Sequence, residues 1–364
     1  METTNKPFNI ERVLRNLNAL RALQSNHPNP DILRGYSGWG GLREAIFCPD
    51  VYRELKRLVG NDGVDSIKST LKSAYYTPTM LVDFIYNVLK KYAPSPRRIL
   101  EPSAGNGVFL ERMPAAIAEE SEVVTVEMDS LSCSFLRHLC PYAEVRHQGF
   151  ETFQETGFDW IVGNPPFGQS TVEDSEHPDL AAYSIHHYFV AKAMRLLNPG
   201  GVLAMIAPRY FLDAPRKHVR SIIEQEGGSL WRAWRLPDNL FDDAKVSVDV
   251  VFLQKKARQN PTWIPSHEVR DGPKKAFMNQ YFFDHPECVL GDIEFFEIYG
   301  RWEIKCVNRS DIAPNLADIL AGLPPKKGGK PRREHSKIEQ KLDDMRQHIE
   351  QLMVNIQQLS AQLR

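Results

Sequence analysis

Hydrophobic and polar positions follow a strand–helix alternation from about residue 98 to residue 256. Short apolar runs of strand length, such as "RRILEP" and "EVVTVEMD", are separated by helical stretches such as "LSCSFLRHLC". Further strands are predicted at "AEVRHQGF", "FDWIVGNPPF", "GVLAMIAP", "LWRAWRLP" and "SVDVVFLQKK". Strands that alternate with helices predict parallel β-α-β units. The predicted fold class is therefore α/β, with a doubly wound, mostly parallel sheet that carries helices on both faces.

The chain outside this alternation divides into shorter regions. Residues 1–75 predict a helical extension, interrupted at 26–42 by the Gly- and Pro-rich loop "NHPNPDILRGYSGWGGL" with its aromatic anchors. A helix is predicted over 78–92, with Thr77 as its N-cap and Pro78 at its first position. The predicted domains are the N-terminal extension at 1–75, the α/β domain at 76–256, a small C-terminal tail at 257–321, a flexible basic linker at 322–335 and a terminal helix at 336–364.

The terminal helix carries a heptad pattern. Its apolar residues are spaced 4, 3, 4, 3, 4, 3 and 4 positions apart. One core position holds Ile338, Met345, Leu352 and Leu359, and the other holds Leu342, Ile349, Ile356 and Leu363. An unbroken heptad predicts a coiled coil, whereas a single amphipathic helix packed on the body would drift from this spacing. We expect this coiled-coil helix to form a homodimer, with an antiparallel pair or a larger bundle left open.

Composition narrows the class of protein. The 364 residues are 42% hydrophobic and 25% charged, an ordinary soluble composition, and the net charge of −1 does not indicate a polyanion binder overall. The five cysteines, Cys48, Cys133, Cys140, Cys288 and Cys306, show no metal-ligand spacing, so we expect reduced thiols and no metal. The first residues lack the apolar run of a signal peptide, and no stretch reaches membrane-spanning length. A cytoplasmic protein without a membrane partner is expected.

Acidic and glycine residues meet at the ends of the first two predicted strands. "ILEPSAGNGVFLE" (99–111) reads as a strand, a turn and a helix, and Gly105 and Gly107 allow a ligand close to the backbone. Glu101 at the strand end suits a cationic amino group and would repel a diphosphate. Glu127 at the end of the second strand suits ribose hydroxyls. These residues predict a site for a nucleoside with an ammonium group, such as S-adenosylmethionine; a tight turn with two solvated acids is the alternative.

The fourth predicted strand ends in a stiff tip. In "DWIVGNPPFGQS" a buried strand stops at Asn164, Pro165 and Pro166, and Phe167 follows. Neither proline has an N–H to donate, so the ladder of a sheet cannot continue there. Ligands bind at the carboxyl ends of the strands in doubly wound sheets. This tip and the glycine turn are therefore expected at the same edge.

These motifs resemble those of amino-group DNA methyltransferases, specifically the N6-adenine class with the cofactor motif first and the target-recognition part last. The resemblance covers roughly residues 70–256. It is carried by "YYTP" (75–78), "EPSAGNG" (101–107), Glu127, "NPPF" (164–167) and "RLPDNLFDDAKVSVDVVFLQK" (235–255). "GYSGWGGL" and "MNQYFFDHPECVLGD" also look like the methylase modules of phage- and mobile-element-borne methylase–helicase proteins. The resemblance implies a Rossmann-like fold, S-adenosylmethionine as cofactor, and double-stranded DNA as substrate in a restriction-modification context.

The resemblance also implies how the tip works. The lone pair of adenine N6 is delocalised into the ring, and the Asn164 side-chain oxygen and the Pro165 carbonyl would each accept one amino hydrogen. The prolines hold both acceptors in place before the substrate arrives, and Phe167 can stack on the purine. A base inside a duplex must first be flipped out of the stack. Tyr210 and Phe211 are candidates to assist by stacking or, equally, to belong to the core.

The expected site residues follow from these motifs. The catalytic residues are Asn164, Pro165, Pro166 and Phe167. The cofactor-binding residues are Thr77, Pro78, Glu101, Pro102, Ser103, Gly105, Gly107, Glu127, Met128, Phe150 and Asn164. The segment "RHQGFETF" departs from the family pattern. The family normally has an Asp immediately before the Phe, and that Asp holds the adenine amino group of the cofactor. In this chain Gly149 stands in place of the Asp. Gln148, Glu151 and Asp159 are the alternatives for that acceptor.

Basic residues predict contacts to DNA phosphates, which would weaken with salt. The candidates are Lys326, Lys327, Lys330, Arg332, Arg333, Arg209, Arg216, Lys217 and Arg220. Trp231, Trp234 and Trp263 are expected in the core. The 257–320 region is small for a monomer that reads a long site, so a two-fold dimer on a palindrome is expected.

The sequence is compatible with two other functions. An Asn-Pro-Pro-aromatic tip also serves methylation of RNA bases and of a glutamine side chain, since each presents a planar, conjugated amino group. A different class is a non-catalytic DNA-binding or assembly subunit that uses the coiled coil to recruit partners. The intact Asn164–Phe167 tip argues against this second possibility.

Overall fold

Seven strands form one central sheet. The computed structural model describes residues 8–71, 77–215, 218–238, 240, 247–256, 264–307 and 312–322. The strands of the sheet are β1 Arg98–Glu101, β2 Glu122–Glu127, β3 Ala143–His147, β4 Phe158–Gly163, β5 Leu197–Pro208, β6 Gly228–Arg235 and β7 Val248–Lys255. Their order is β3-β2-β1-β4-β5-β7-β6, and β7 pairs antiparallel with β5 and β6 while the other pairs are parallel. Continuous buried runs in β4, β5 and β7 are typical of central strands. The predicted doubly wound, mostly parallel sheet is confirmed.

Helices precede and separate these strands. In the described residues they are α1 Ile10–Leu23, α2 Pro30–Leu33, α3 Arg43–Ile46, α4 Pro49–Thr70, α5 Thr79–Tyr92, α6 Val108–Glu111, α7 Ala115–Glu120, α8 Ser130–Leu139, α9 Ile185–Leu196, α10 Tyr210–Asp213, α11 His218–Gln225, α12 Gln280–Asp284 and α13 Ile312–Gly322. Local sequence explains several starts: Asn9 accepts a hydrogen bond from the Arg12 amide, and Asp129 accepts one from the Ser132 amide. Helix α4 is kinked at Gly60, whose φ of +69° lies in the left-handed region.

Helix α5 starts one residue later than the sequence predicts. Pro78 has φ −56° and ψ 135°, so it is extended and precedes the helix instead of opening it. Thr77 does not cap the helix, because its hydroxyl oxygen accepts a hydrogen bond from the Asn164 side chain at 3.1 Å. The expected cap is therefore wrong, and the same hydroxyl serves the strand-end tip.

The N-terminal helices pack on the sheet domain through α8. Their buried residues form one apolar cluster that includes Phe135 of α8. Tyr36 stacks on the Phe135 ring with 4.2 Å between centroids and 11° between planes. The loop that carries Tyr36 is thereby held next to the segment that follows β2.

Two antiparallel strand pairs lie beyond the sheet. They are β8 Ser266–Asp271 with β9 Lys274–Asn279, and β10 Asp292–Ile298 with β11 Arg301–Val307. The Asn279 amide donates to Asp213 at 2.9 Å, and Asp213 also accepts from Arg235 at 2.8 Å. Arg235 donates in turn to Asp249 at 2.9 Å. This buried network ties the first pair to the edge of the sheet.

One of the predicted phosphate contacts is corrected by this packing, and a second predicted residue forms ion pairs within the chain. Arg220 is 1% exposed and donates to the carbonyls of Leu212 and Ala214, so it cannot reach a phosphate. Arg209 is paired with Asp213 at 3.3 Å and with Glu303. Arg220 instead holds α10 in place. Arg209 connects α10 to the second strand pair, and its contact with a phosphate stays a prediction.

Some predictions fall outside the described residues. They are the heptad helix at 336–364, the linker beyond Gly322, the five basic residues of that linker, and Arg216, Lys217, Tyr75, Tyr76 and Trp263. The domain boundaries and the homodimer stay predictions. Within the described ranges, no helix is both long and apolar enough to cross a membrane. The same residues contain no group of three or more potential metal ligands.

Candidate active site

One pocket lies at the carboxyl ends of β1, β2 and β4. It measures about 1080 Å³, including the part that is open to solvent, which suits a small-molecule or cofactor site. Ten of the residues that the sequence singled out line it: Thr77, Glu101, Pro102, Ser103, Gly105, Glu127, Met128, Phe150, Asn164 and Pro166. The strand ends meet there because parallel neighbours bring their carboxyl termini to one edge.

Two buried carboxylates mark the middle of the pocket. Glu101 is the last residue of β1 and is 1% exposed, and Glu127 is the last residue of β2 and is 9% exposed. Burial, and next the nearby charge of Glu127, raise the pKa of Glu101 well above its ordinary value. Within the described chain, Oε2 of Glu101 has no hydrogen-bond partner. A buried acceptor of this kind is normally satisfied, so a donor from a ligand is expected at this position.

Glu127 is held in a fixed orientation. Its carboxylate accepts hydrogen bonds from the amides of Gly105 at 2.7 Å and Asp129 at 2.8 Å. Burial raises the pKa of Glu127, and these two amides oppose that rise. Each carboxylate oxygen has two lone-pair sites, so further donors can still bind.

The glycine turn shapes the pocket floor. Gly105 has φ +54° and Gly107 has φ +83°, a region that disfavours residues with a Cβ. At Gly107 a Cβ would also lie 2.6 Å from Leu136 of α8. Gly105 lines the pocket, while Gly107 packs behind it and lets α8 approach the turn.

The Asn164 side chain is oriented by Thr77. Nδ2 of Asn164 donates to Oγ1 of Thr77 at 3.1 Å, so the amide nitrogen lies toward Thr77 and the amide oxygen lies on the other side. The Ser103 hydroxyl donates to the main-chain carbonyl of Asn164 at 3.4 Å. The strand-end tip is thus connected to the segments before α5 and after β1.

Several predicted site residues do not line this pocket. Pro78, Gly107, Pro165 and Phe167 lie outside the lining. Phe167 faces His186 edge-on, with 6.5 Å between ring centroids, and His186 contacts Tyr210 in the same way at 5.0 Å. Burial lowers the pKa of His186 to about 4, so its ring is neutral near pH 7. Phe167 of the tip therefore packs against the neutral ring of His186.

Of the two aromatic residues in "APRYF", Phe211 lies in the core and Tyr210 lines a cleft. Phe211 is 1% exposed and belongs to the core. Tyr210 lines a second cleft, between α10 and the two strand pairs, together with Trp302, Lys275 and Arg301. Trp234 is buried as predicted.

Phe150 and its neighbours form the far wall of the pocket. Phe150 is 3% exposed and lies 4.8 Å from Phe189 between ring centroids. Nζ of Lys192 donates to the carbonyls of Phe150 at 2.8 Å and Glu151 at 3.0 Å, and to Asp174 at 2.7 Å. This buried lysine joins the turn after β3 to the loop that follows the Asn-Pro-Pro tip.

Sequence reasoning missed the contribution of the N-terminal loop. Tyr36, Gly38 and Trp39 line the pocket, and Trp39 is 1% exposed. The loop is held by Asn16, whose Nδ2 donates to Gly38 O at 2.5 Å and whose Oδ1 accepts from the Ser37 amide at 2.9 Å. The clustered Gly and aromatic residues of "GYSGWGGL" indicated an ordered loop, but nothing local indicated its destination.

Comparison with known proteins agrees with this geometry. Residues 129–227 match the family Eco57I restriction-modification methylase, a span that includes the Asn-Pro-Pro-Phe tip. The chain is 29% identical over 242 residues to the "Defense against restriction protein B" of Escherichia phage P1, covering 64% of this chain and 9% of that protein. It is 28% identical over 240 residues to the type II methyltransferase M.TthHB8I of Thermus thermophilus, covering 61% and 52%. The chain thus spans about half or less of the length of these relatives.

Solved structures give a looser likeness. The methyltransferase subunit of a type I restriction-modification system from Streptococcus thermophilus is 14% identical with a TM-score of 0.48, over 83% of this chain and 72% of that one. A TM-score below 0.5 at 14% identity carries no argument about function. The match at 129–227 confirms the resemblance to restriction-modification DNA methyltransferases, and the preference for adenine stays a prediction. Over residues 129–227 the chain is therefore similar to the Eco57I restriction-modification methylases.

Proposed function

We propose that this chain is an S-adenosylmethionine-dependent DNA methyltransferase that modifies the N6 amino group of adenine. The observation that carries this proposal is the position of Asn164, fixed by Thr77, at the rim of a pocket with two buried carboxylates. The type II methyltransferase among the relatives supports a DNA substrate. A cytoplasmic location follows from that substrate.

The residues of the pocket fit the cofactor. The unsatisfied oxygen of Glu101 suits the ammonium of the methionine part, and the fixed carboxylate of Glu127 suits the two ribose hydroxyls. Phe150 and Phe189 offer apolar surface for the purine. No cationic side chain lines the pocket in the described residues, as expected for a ligand without phosphates. When bound, S-adenosylmethionine supplies a methyl group on a sulfonium centre, with a neutral thioether as leaving group.

Asn164 and Pro165 would activate the amino group of the substrate. The amide oxygen of Asn164 and the carbonyl of Pro165 each accept one N–H, which favours a pyramidal nitrogen with an available lone pair. The two prolines and the Thr77 hydrogen bond hold these acceptors in advance, so little reorganisation is needed. After transfer the nitrogen carries the methyl group, two hydrogens and the positive charge, and it becomes a neutral secondary amine by losing one proton to solvent.

The target adenine must leave the duplex to reach this tip. Base flipping costs a few kcal/mol, and stacking on Phe167 would offset part of it. The second cleft lies beside the tip, because Tyr210 connects it to His186 and Phe167. The aromatic residues of its lining, Tyr210, Phe277 and Trp302, suit stacking with bases next to the flipped one. The predicted homodimer through 336–364 would let two such sites read a palindrome.

Transfer of a tritiated methyl group tests the proposal directly. Duplex DNA, RNA and protein acceptors are compared with the full chain, and modified adenines are then mapped in the DNA. Label on N6 of adenine in duplex DNA is expected. Label on RNA or on a glutamine side chain would replace the DNA assignment, and no label on any acceptor would favour a non-catalytic DNA-binding or assembly subunit.

Replacing Asn164 tests the mechanism. Asn164→Ala should lower the rate of methyl transfer by about 100- to 1000-fold, since one of two preorganised acceptors is lost. Binding of S-adenosylhomocysteine, measured by titration calorimetry, should change less than about threefold. Asn87→Ala, on the exposed side of α5, is the matched control. A variant at Asn164 with wild-type rates would refute the proposed role of the tip.

A further inference from the structure

The turn after β3 presents a carboxylate that the proposed site does not yet use. Glu151 lines the pocket and is only partly exposed. Its carboxylate lies directly over Gly149, so that a Cβ at position 149 would collide with it. The Glu151 carboxylate accepts no hydrogen bond and lies in no close ion pair among the described residues, and Lys192 acts on it only through longer-range electrostatic attraction. An acidic group that faces a ligand pocket with its hydrogen-bond acceptors unused is a candidate for ligand recognition.

The order of the strands places this carboxylate at the nucleobase end of the pocket. In the sheet, β2 lies between β1 and β3. Glu101 ends β1, Glu127 ends β2, and Glu151 follows β3. With the ammonium at Glu101 and the ribose at Glu127, the base extends toward the turn at 148–151. Phe150 and Phe189 supply its apolar surroundings there.

Lys192 makes the turn rigid. Its buried ammonium donates to the carbonyls of Phe150 and Glu151 from the interior side, and the Asp174 carboxylate balances its charge. The main-chain acceptors of the turn are therefore directed inward. The Glu151 side chain is the anionic acceptor that remains on the pocket side.

The other two candidates are less suitable. Asp159 lies at the opposite end of β4, where it accepts from the amides of Arg97 at 2.7 Å and Arg98 at 3.2 Å and from Asn198 at 3.0 Å. It is not in the pocket. Gln148 does line the pocket, but its amide is donor and acceptor at once, whereas a carboxylate only accepts. An amino group on a purine is a donor, which favours Glu151.

We propose that Glu151 accepts a hydrogen bond from the exocyclic amino group of the cofactor's adenine, and that Gly149 leaves the space for its carboxylate. This assignment rests on the proposed S-adenosylmethionine site. In the family that the motifs resemble, the acid stands at the position that Gly149 occupies here. In this chain the acid stands two residues later, at Glu151. The acceptor reaches the base from Glu151 because no side chain at 149 stands in the way.

Binding measurements with two ligands test this assignment. Calorimetry on the full chain compares S-adenosylhomocysteine with its 6-deamino analogue, in which purine replaces adenine. The wild type should prefer the amino compound by about tenfold or more, the effect of one hydrogen bond to a charged group. Glu151→Ala should remove most of this preference and leave affinity for the deamino analogue almost unchanged.

A rescue variant separates recognition from damage to the fold. In Glu151→Ala combined with Gly149→Asp, the new carboxylate occupies the vacated space, and the preference for the amino compound should return. Glu144→Gln, which removes an exposed charge of β3, should behave as wild type.

Three results would overturn the assignment. They are an unchanged preference in Glu151→Ala, no recovery in the double variant, and loss of the preference in Gln148→Ala instead. If the wild-type chain binds neither ligand, the proposed function itself fails, which is a different and recognisable outcome.

Discussion

At the scale of single residues, the site depends on two carboxylates placed where water is scarce. Glu101 and Glu127 end adjacent strands, and burial raises the pKa of both. Without a ligand this arrangement destabilises the folded protein locally, because one buried oxygen of Glu101 has no hydrogen-bond partner among the described residues. A cationic ligand removes the mismatch.

Replacing Glu101 should therefore stabilise the apo protein and impair binding. In the folded state the pKa of Glu101 lies above 4.5, so between pH 4.5 and that raised pKa the folded chain holds a proton that the unfolded chain releases. Stability from this group is complete below pH 4.5 and is lost as pH rises. Glu101→Gln cannot ionise, so its Tm relative to wild type should increase with pH above 4.5.

The same replacement, Glu101→Gln, should weaken cofactor binding while it stabilises the protein without ligand. Loss of a charged hydrogen bond should weaken S-adenosylmethionine binding by about 10- to 100-fold. Calorimetry and thermal melts from pH 4 to 8 measure both effects, with exposed Glu119→Gln as the control. A Tm difference that shrinks with pH would contradict the assigned burial.

Thr77 is the residue that decides how Asn164 lies. Thr77→Val keeps the shape and removes the hydroxyl that accepts from Nδ2 of Asn164. The rate of methyl transfer should fall by about tenfold, equivalent to a net hydrogen bond of about 1.4 kcal/mol, with little change in KM for DNA. Steady-state kinetics measure this, and Thr79→Val at the exposed start of α5 is the control. Equal losses in both variants would point to a general effect on α5.

At the scale of elements, the buried pair of Lys192 and Asp174 connects two sides of the pocket. Both side chains are fully buried, and Tyr188 also donates to Asp174 at 2.6 Å. Helix α9 thereby fixes the turn after β3 and the loop after the Asn-Pro-Pro tip at once. The net stability gained from such a pair is small, because the cost of removing two charges from water offsets their attraction.

Breaking this pair on one side should be severe. Lys192→Met leaves the Asp174 carboxylate buried without its cation, which costs about 3–5 kcal/mol in unfolding free energy. Urea denaturation followed by circular dichroism measures this, with Lys90→Met on the exposed side of α5 as the control. Asp174→Asn should cost less, because an amide oxygen can still accept from Lys192 and Tyr188. A loss below about 1 kcal/mol in Lys192→Met would contradict the described network.

At the scale of the whole molecule, distant parts of the chain build one pocket. The sheet supplies the acids, α9 fixes the far wall, and the N-terminal loop with Tyr36 and Trp39 closes another side. Asn16 of α1 holds that loop by three hydrogen bonds, which involve the Gly38 carbonyl and the amide and hydroxyl of Ser37. The N-terminal extension is thus part of the binding site as well as of the core.

Loosening the loop from a distance should affect binding. Asn16→Ala leaves the carbonyl of Gly38 and the amide of Ser37 without this partner, at about 1–3 kcal/mol in stability. Affinity for S-adenosylhomocysteine should fall several-fold although Asn16 itself does not line the pocket. Calorimetry and urea denaturation of Asn16→Ala and of exposed Asn18→Ala test this. Wild-type affinity in the Asn16 variant would show that the loop needs no support from α1.

Much of the fold and part of the site were predictable from local sequence. The apolar runs located β1 to β7 to within a few residues, since strand period and turn chemistry are properties of short segments. The positions of Glu101, Glu127 and Asn164 at strand ends followed from the same runs. The two outer strand pairs were not predicted, because their half-exposed residues lack a clear alternation.

The sequence by itself determined which strands form the central sheet and which chemical groups stand at their ends, because both depend on neighbours along the chain. Only the tertiary structure decided which side chains face the pocket. It turned Thr77 from a helix cap into a partner of Asn164, took Arg220 into the interior, and brought Trp39 to the site. The physical reason is that burial and hydrogen bonding between distant segments outweigh local preference wherever a polar group would otherwise remain unsatisfied.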